Sequence, residues 1–63
     1  MNLQEMIMKN VKFRDILGEH SGVINEISIQ EKGIFVYVIS FGQNVWLDVR
    51  HLDDHWWIVD QTI

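Results

Sequence analysis

The segment formed by residues 34–41 constrains the fold more than any other part of the chain. Each of its positions is apolar except Ser40, and Gly42 follows it. A run of this length, rich in β-branched and aromatic side chains, is typical of a central strand whose two faces are both covered. The remaining segments must therefore supply neighbouring strands and further apolar cover.

Shorter runs of similar texture lie on both sides of this segment, with Gly and Asn residues between them. Several alternate between apolar and polar side chains, which is the period of a half-buried strand. Between Ile24 and Ile27 the apolar parity shifts, which predicts a β-bulge or a strand bent between two sheets. The predicted strands are residues 11–15, 23–30, 34–41, 45–50 and 56–59. The predicted connections are the loops 18–22, 31–33 and 42–44 and one helical turn at residues 51–55.

The first ten residues predict a short N-terminal helix from Asn2 to about residue 8. Asn2 and Glu5 have the spacing of a capping box, in which each side chain satisfies a backbone N–H of the first turn. Leu3, Met6 and Ile7 then fall on one helical face. Because isolated helices of this length are marginal in water, the apolar face must pack on the strands.

Composition places the chain among small intracellular domains. A domain of 63 residues buries only about 60% of the surface of its unfolded chain, so its core must be dense, and 48% of the residues are hydrophobic. There is no cysteine, which excludes disulfides and thiolate metal sites and favours a reducing compartment. We expect a cytoplasmic protein, because the chain has neither a signal-peptide pattern nor an apolar stretch of roughly 20 residues.

The order of a short helix, hairpin-linked strands, a single helical turn and a closing strand resembles the Src-homology-3-like small β-barrels, including their KOW and Tudor-like branches. The resemblance covers roughly residues 11–59. The segments that carry it are residues 22–24 with Ile27, residues 36–38, and residues 45–47 with Leu52. Because this fold hosts many unrelated functions, the resemblance implies an architecture and no particular activity.

We therefore expect a mainly β domain, a Src-homology-3-like barrel of about five antiparallel strands over residues 11–63, preceded by a helix in residues 1–10. The alternative is an open α+β meander that dimerises. The sequence leaves open whether an edge strand, for example residues 11–14, pairs with a second copy. The residues predicted to form the core are Phe13, Ile16, Val23, Ile27, Val36, Val38, Val45, Leu47, Val49, Leu52 and Ile58.

Catalysis is not predicted for this chain. Asp53, Asp54 and His55 are acid–base groups, but adjacent residues rarely face each other, and there is no nucleophile elbow, phosphate loop or cofactor fingerprint. His51 and His55 would share one face of a helical turn, with Asp54 and Asp48 as further oxygen ligands. Two imidazoles fall short of the three or four ligands of a zinc site, so we predict no metal and no cofactor.

Aromatic and acidic residues instead predict a protein–protein interaction module, such as an accessory or inhibitory factor that binds a basic surface. The net charge is −4, and residues 15–63 hold eight acids against Lys32 and Arg50. Trp46 is expected to point away from the core because Val45 and Leu47 point inward. Exposed Trp and Tyr side chains are common interface anchors. The predicted partner-binding residues are Trp46, Tyr37, Trp57, Asp48, Asp53 and Asp54.

Two alternatives remain open at this stage. The N-terminal helix would cover these aromatics if the barrel needs a lid rather than a ligand. A nucleic-acid-binding barrel would use aromatic side chains to stack bases and basic side chains to hold phosphates. The basic residues available for that role are Lys9, Lys12, Arg14 and Arg50. Nucleic acid is nevertheless an unexpected partner, because the body of the chain is acidic.

Overall fold

A computed structural model describes residues 3–59, which form one five-stranded antiparallel sheet. The strand order across the sheet is β4-β3-β2-β1-β5. The strands are β1 (Asn10–Asp15), β2 (Gly18–Gln30), β3 (Gly33–Ser40), β4 (Gln43–Asp48) and β5 (Trp56–Ile58). Two short 3-10 turns, Leu3–Met6 and Val49–His51, are the helical elements of the described residues. The prediction of a mainly β fold is confirmed.

Each of the first three connections is a tight turn of two residues, shorter than the loops predicted from the sequence. The residues that flank these turns pair directly, as in Asp15 with Gly18. Residues 18–22, predicted to form a loop, therefore belong to β2. Ile16 lies at the tip of the first turn, where it is 98% exposed, and its assignment to the core is wrong. Ile16 and Leu17 form this two-residue turn at the end of the hairpin, where both side chains are exposed and do not reach the core.

The predicted bulge in β2 is confirmed. The pairing between β2 and β3 shifts register between Ile24 and Glu26. An extra residue restores the parity of the apolar positions, so that fully buried Ile24 and half-buried Ile27 both pack in the core. Ile24 also exchanges backbone hydrogen bonds with the chain before β1, accepting from the N–H of Met8 at 2.8 Å and donating to the carbonyl of Lys9 at 3.0 Å.

The N-terminal segment is a 3-10 turn and not the predicted α-helix. Asn2, the expected cap, lies outside the described residues. Met6 is buried and Leu3 packs against the core, whereas Ile7 is exposed. Met8 has a positive φ of 75°, which ends the helical winding after about one turn and redirects the chain into β1. The segment covers the inner face of the sheet and leaves the outer face open.

The core lies on this inner face. Phe13, Val36 and Val38 are buried there as predicted, and most of the other predicted core positions pack around them at intermediate depth. Val23 is an exception because it lies on the opposite face from Ile24. The buried residues that the sequence did not assign to the core are Met6, Val11, Ile24 and Trp56.

Among the described strands, the sheet has two edges, β4 and β5. Strand β1 pairs with β2 on one side and with β5 on the other, so the expectation that residues 11–14 form an edge is wrong. In residues 3–59, no helix has the length and apolar character needed to cross a membrane.

Candidate interaction surface

Tyr37 and Trp46 form the centre of the candidate surface. They are directly opposite each other on β3 and β4, with ring centroids 4.8 Å apart and ring planes inclined by 45°. Val45 and Leu47 point toward the core, so the alternation of the strand turns Trp46 outward. Trp46 keeps 51% of its surface exposed even with this contact. The structure brings these two predicted anchors together.

Apolar surface continues from this pair along the outer face of the sheet. Ile39 lies two residues from Tyr37, is 45% exposed, and pairs with Val23 of β2. Phe41, in the turn that follows, is fully exposed. We call Val23, Tyr37, Ile39, Phe41 and Trp46 the outer-face band.

An open groove of about 440 Å³ adjoins one end of the band. Val23, Ile39 and Phe41 belong to both features. Its wall also includes Asn10, the first residue of β1, and Val59, which follows β5. Residues of β1, β2 and β3 and of the segments beside them therefore shape the groove. The aromatic pair and this recess therefore lie on one continuous surface.

Exposed acidic groups lie at two places, one of them beside the band. Glu26 pairs with Tyr37 on β2 and is exposed, which puts a carboxylate in the same row as the two aromatic rings. Sequence alternation alone did not predict Glu26 as part of this surface, because the bulge changes the parity of β2 at this point. Asp53 and Asp54 are exposed in the turn that precedes β5.

Asp48 is engaged within the chain. Its side chain accepts hydrogen bonds from the backbone N–H of Arg50 at 2.9 Å and from the Arg50 guanidinium at 2.8 Å. These hydrogen bonds, the one from the guanidinium first, hold the pKa of Asp48 below its ordinary value. Asp48 caps the second 3-10 turn in this way. Its charge is already paired, so it adds little free potential to the surface.

Trp57 does not join the Tyr37–Trp46 pair. It lies on β5, which the strand order puts at the other edge from β4, and the guanidinium carbon of Arg14 sits 5.2 Å from the centre of its ring. Trp56, its neighbour, is 1% exposed. The two adjacent indoles therefore point to opposite faces, as the alternation of a strand requires.

Basic side chains that a nucleic-acid site would use have contacts within the chain. Lys12 is 3.5 Å from a carboxylate oxygen of Glu19, and Arg50 is bound to Asp48. Arg14 stacks on Trp57. These contacts compete with phosphate groups for the three basic side chains.

Histidine and carboxylate groups meet at two points on the surface. His20 Nε2 lies 2.9 Å from Asp15 Oδ1 beside the first hairpin turn, and this hydrogen bond is the largest cause that lowers the pKa of Asp15. His55 Nε2 lies 3.7 Å from Asp54 Oδ2. Both pairs are at least partly exposed to water.

Comparison with protein-family models, with curated proteins and with solved structures finds no match for this chain. Its function must therefore be argued from its own surface.

Proposed function

We propose that this chain is a non-catalytic protein–protein interaction module whose outer-face band binds a partner that carries basic residues. The observation that supports the proposal most is the half-exposed Trp46, held against Tyr37 and continuous with exposed Ile39 and Phe41. Large apolar groups rarely gather on the surface of a small domain unless something covers them. The first 3-10 turn does not cover them, because Met6 packs on the inner face.

Preorganisation makes this surface suited to binding. The ring of Trp46 is restrained by Tyr37, so a partner loses little side-chain entropy when it covers the indole. A Trp side chain can bury about 150–250 Å², and Trp and Tyr are the residues most enriched among energetic hot spots. Tyr37 and Trp46 are therefore the proposed anchors, with Trp57 as a separate contact at β5.

Charge gives the proposed partner its chemistry. Glu26 stands beside the anchors, Asp53 and Asp54 are exposed after β4, and the whole chain has a net charge of −4. Lys or Arg residues around an apolar patch on the partner would complement this pattern and accelerate encounter. Asp48 is paired with Arg50 and so offsets one of the basic charges.

A Src-homology-3-like barrel is the architecture that we propose for the module. The order β4-β3-β2-β1-β5, with a 3-10 turn between β4 and β5, supports it. In such an arrangement β4 offers one free edge next to Trp46, and an extended segment of the partner would add backbone hydrogen bonds there.

Affinity capture with the full chain tests the proposal. Wild type, Trp46→Ala and the matched control Leu17→Ala are immobilised, with nuclease-treated and untreated lysate in parallel. Leu17 is also a large apolar residue, 82% exposed, but it lies in the first hairpin turn. We expect a protein that wild type and Leu17→Ala retain after nuclease treatment and that Trp46→Ala loses.

The captured protein is then purified and titrated calorimetrically. Truncating a hot-spot anchor typically costs about 2 kcal/mol or more, roughly a 30-fold loss of affinity, whereas Leu17→Ala should change it little. Equal binding by Trp46→Ala and wild type contradicts the proposal. Capture that disappears with nuclease favours the nucleic-acid alternative instead, and its affinity should then fall steeply with added salt.

A further inference from the structure

The segment between β4 and β5 gathers three side chains that ligate metals. After the second 3-10 turn, the backbone carbonyl of His51 accepts hydrogen bonds from the N–H groups of Asp54 at 3.0 Å and His55 at 2.9 Å. Residues 51–55 therefore form a hydrogen-bonded turn. It is not the helical turn predicted from the sequence, because Leu52 is extended and Asp53 has a positive φ of 67°. The imidazole centroids of His51 and His55 are 4.9 Å apart. One ligand atom from each of the three residues lies within 4.8 Å of the others.

We propose that His51, Asp54 and His55 form a binding site for a divalent transition metal of the zinc class. Two imidazole nitrogens and one carboxylate oxygen are ligands that zinc takes in proteins, and three protein ligands leave a fourth position open for water. Of the two oxygen ligands considered from the sequence, the fold brings Asp54 to the histidines, whereas Asp48 is bound to Arg50. The prediction of no metal is therefore replaced by this proposal.

The distances are within reach of coordination. Zinc–ligand bonds of about 2.0–2.2 Å put neighbouring ligand atoms of a tetrahedral site roughly 3.4 Å apart. The three side chains are exposed. Rotation about their side-chain bonds that brings the ligand atoms closer by about an ångström gives this spacing from the separations found here.

Backbone hydrogen bonds hold the segment in place before any metal binds. The carbonyl of His55 accepts from the N–H of Arg14 on β1 at 3.0 Å, and the N–H of Asp53 donates to the carbonyl of Trp56 at 2.7 Å. Since Trp56 is anchored in the core, the turn is fixed to the body of the sheet. Binding therefore costs little ordering of the chain.

Local charge also favours a cation. Asp53 is exposed next to the site and Asp54 is one of the ligands. Arg50, the basic residue that adjoins His51 in sequence, is bound to Asp48. Calcium and magnesium suit the site poorly, because these hard cations take six or more oxygen ligands.

Isothermal titration of the full chain, free of any polyhistidine tag, with zinc chloride tests the site. Wild type should bind one zinc ion. His51→Ala and His55→Ala should each weaken zinc binding about 10-fold or more, because even the loss of a residue that only hydrogen-bonds to a metal ligand typically lowers affinity by that much. The matched control is His20→Ala, which removes the histidine beside Asp15 in the first hairpin. Cobalt absorption spectra should show the bands of a nitrogen- and oxygen-ligated ion in wild type and His20→Ala alone.

Several results would overturn this inference. The inference is wrong if wild type binds no zinc, or if both His51→Ala and His55→Ala keep the full affinity. It is also wrong if His20→Ala loses as much affinity as they do. Calcium that competes with zinc at similar concentration would contradict the metal class. Asp54→Asn is a further variant of the proposed ligand set. Unchanged tryptophan fluorescence verifies that each variant is folded. Neither histidine belongs to the outer-face band, so His51→Ala and His55→Ala test the metal site without changing the proposed anchors. Asp54 is shared with the acidic residues of the proposed partner surface.

Discussion

The indole N–H of Trp56 donates a 2.8 Å hydrogen bond to the backbone carbonyl of Asp48. Asp48 is the last residue of β4 and Trp56 the first of β5, so this bond joins the two edge strands of the sheet at one end. The same indole is 1% exposed and belongs to the core cluster. One side chain thus fills the core and holds the segment that carries the histidines.

Replacing Trp56 by Phe should destabilise the fold strongly. The substitution removes the donor, leaves the Asp48 carbonyl without this partner, and opens space in the core, for a total of about 2–4 kcal/mol of unfolding free energy. Urea denaturation measures the difference. Trp57→Phe is the control, and since Trp57 is only half-buried we expect a cost of about 1 kcal/mol or less. Equal costs for the two variants would contradict the role assigned to Trp56.

Gly22 should not tolerate a side chain. A Cβ atom at this position would lie 2.5 Å from Val38 Cγ1 and 2.8 Å from the carbonyl oxygen of Ile39. The second contact is with backbone, which cannot rotate away, so Gly22→Ala should cost about 1–3 kcal/mol. Thermal and urea unfolding of Gly22→Ala beside Ser21→Ala, an exposed neighbour, measure it. A loss below that of Ser21→Ala would show that β3 adjusts freely.

Stability should fall in acid because of Asp48 and Asp15. The pKa of Asp48 is lowered by hydrogen bonds from Arg50, and that of Asp15 chiefly by the hydrogen bond with His20, from an ordinary value of 3.8. A lowered folded-state pKa means that the unfolded chain takes up protons first. The stabilisation is therefore complete above pH 3.8 and is lost as the pH falls through the folded-state values.

Removing one of these carboxylates should flatten the acid limb of the stability curve. Asp48→Asn is expected to lose less stability than wild type between neutral pH and the acid range. Glu31→Gln, in the turn between β2 and β3, should keep the wild-type slope. Urea midpoints measured across the pH range compare the three chains, and parallel curves for Asp48→Asn and wild type would be inconsistent with the ion pair.

Tyr37 and Trp46 should be coupled energetically while contributing little to the fold as a whole. A double-mutant cycle with Tyr37→Leu and Trp46→Leu should give about 0.5–1.5 kcal/mol of interaction free energy, as other aromatic pairs do. Both single variants should remain folded, because each side chain lies outside the core cluster. Unfolding of Trp46→Leu would move Trp46 into the core and remove the main support for the outer-face band.

Strand texture and parity predicted the β content, the bulge in β2 and the outward position of Trp46, because these follow from local alternation. Loop lengths were harder to predict from the sequence. Gly18 and Gly22 looked like the ends of a loop, but Gly18 follows a two-residue turn and Gly22 permits the close approach of β3. Those roles depend on pairing between distant strands, which alternation alone does not specify.

The candidate surface was predicted in part for the same reason. Tyr37 and Trp46 follow from parity within their own strands, whereas Glu26 joins them only through the register that the bulge sets. Strand alternation requires Trp56 and Trp57 to face opposite ways, but it does not specify which of them is buried. In the fold the buried indole is that of Trp56, which donates to the Asp48 carbonyl. Asp54 joins the two histidines because hydrogen bonds to the His51 carbonyl wind the turn.

The pairing of β1 with β5 has a consequence for how this chain folds. Val11 lies opposite Ile58, whereas β2, β3 and β4 are joined by two-residue turns. The hairpins among β2, β3 and β4 close short loops and can form a folding nucleus. Pairing of β5 with β1 closes the long stretch of chain between them, which costs more conformational entropy. We expect folding at about the millisecond-to-second pace of domains with non-local contacts, with the β1–β5 ladder formed after the rate-limiting barrier.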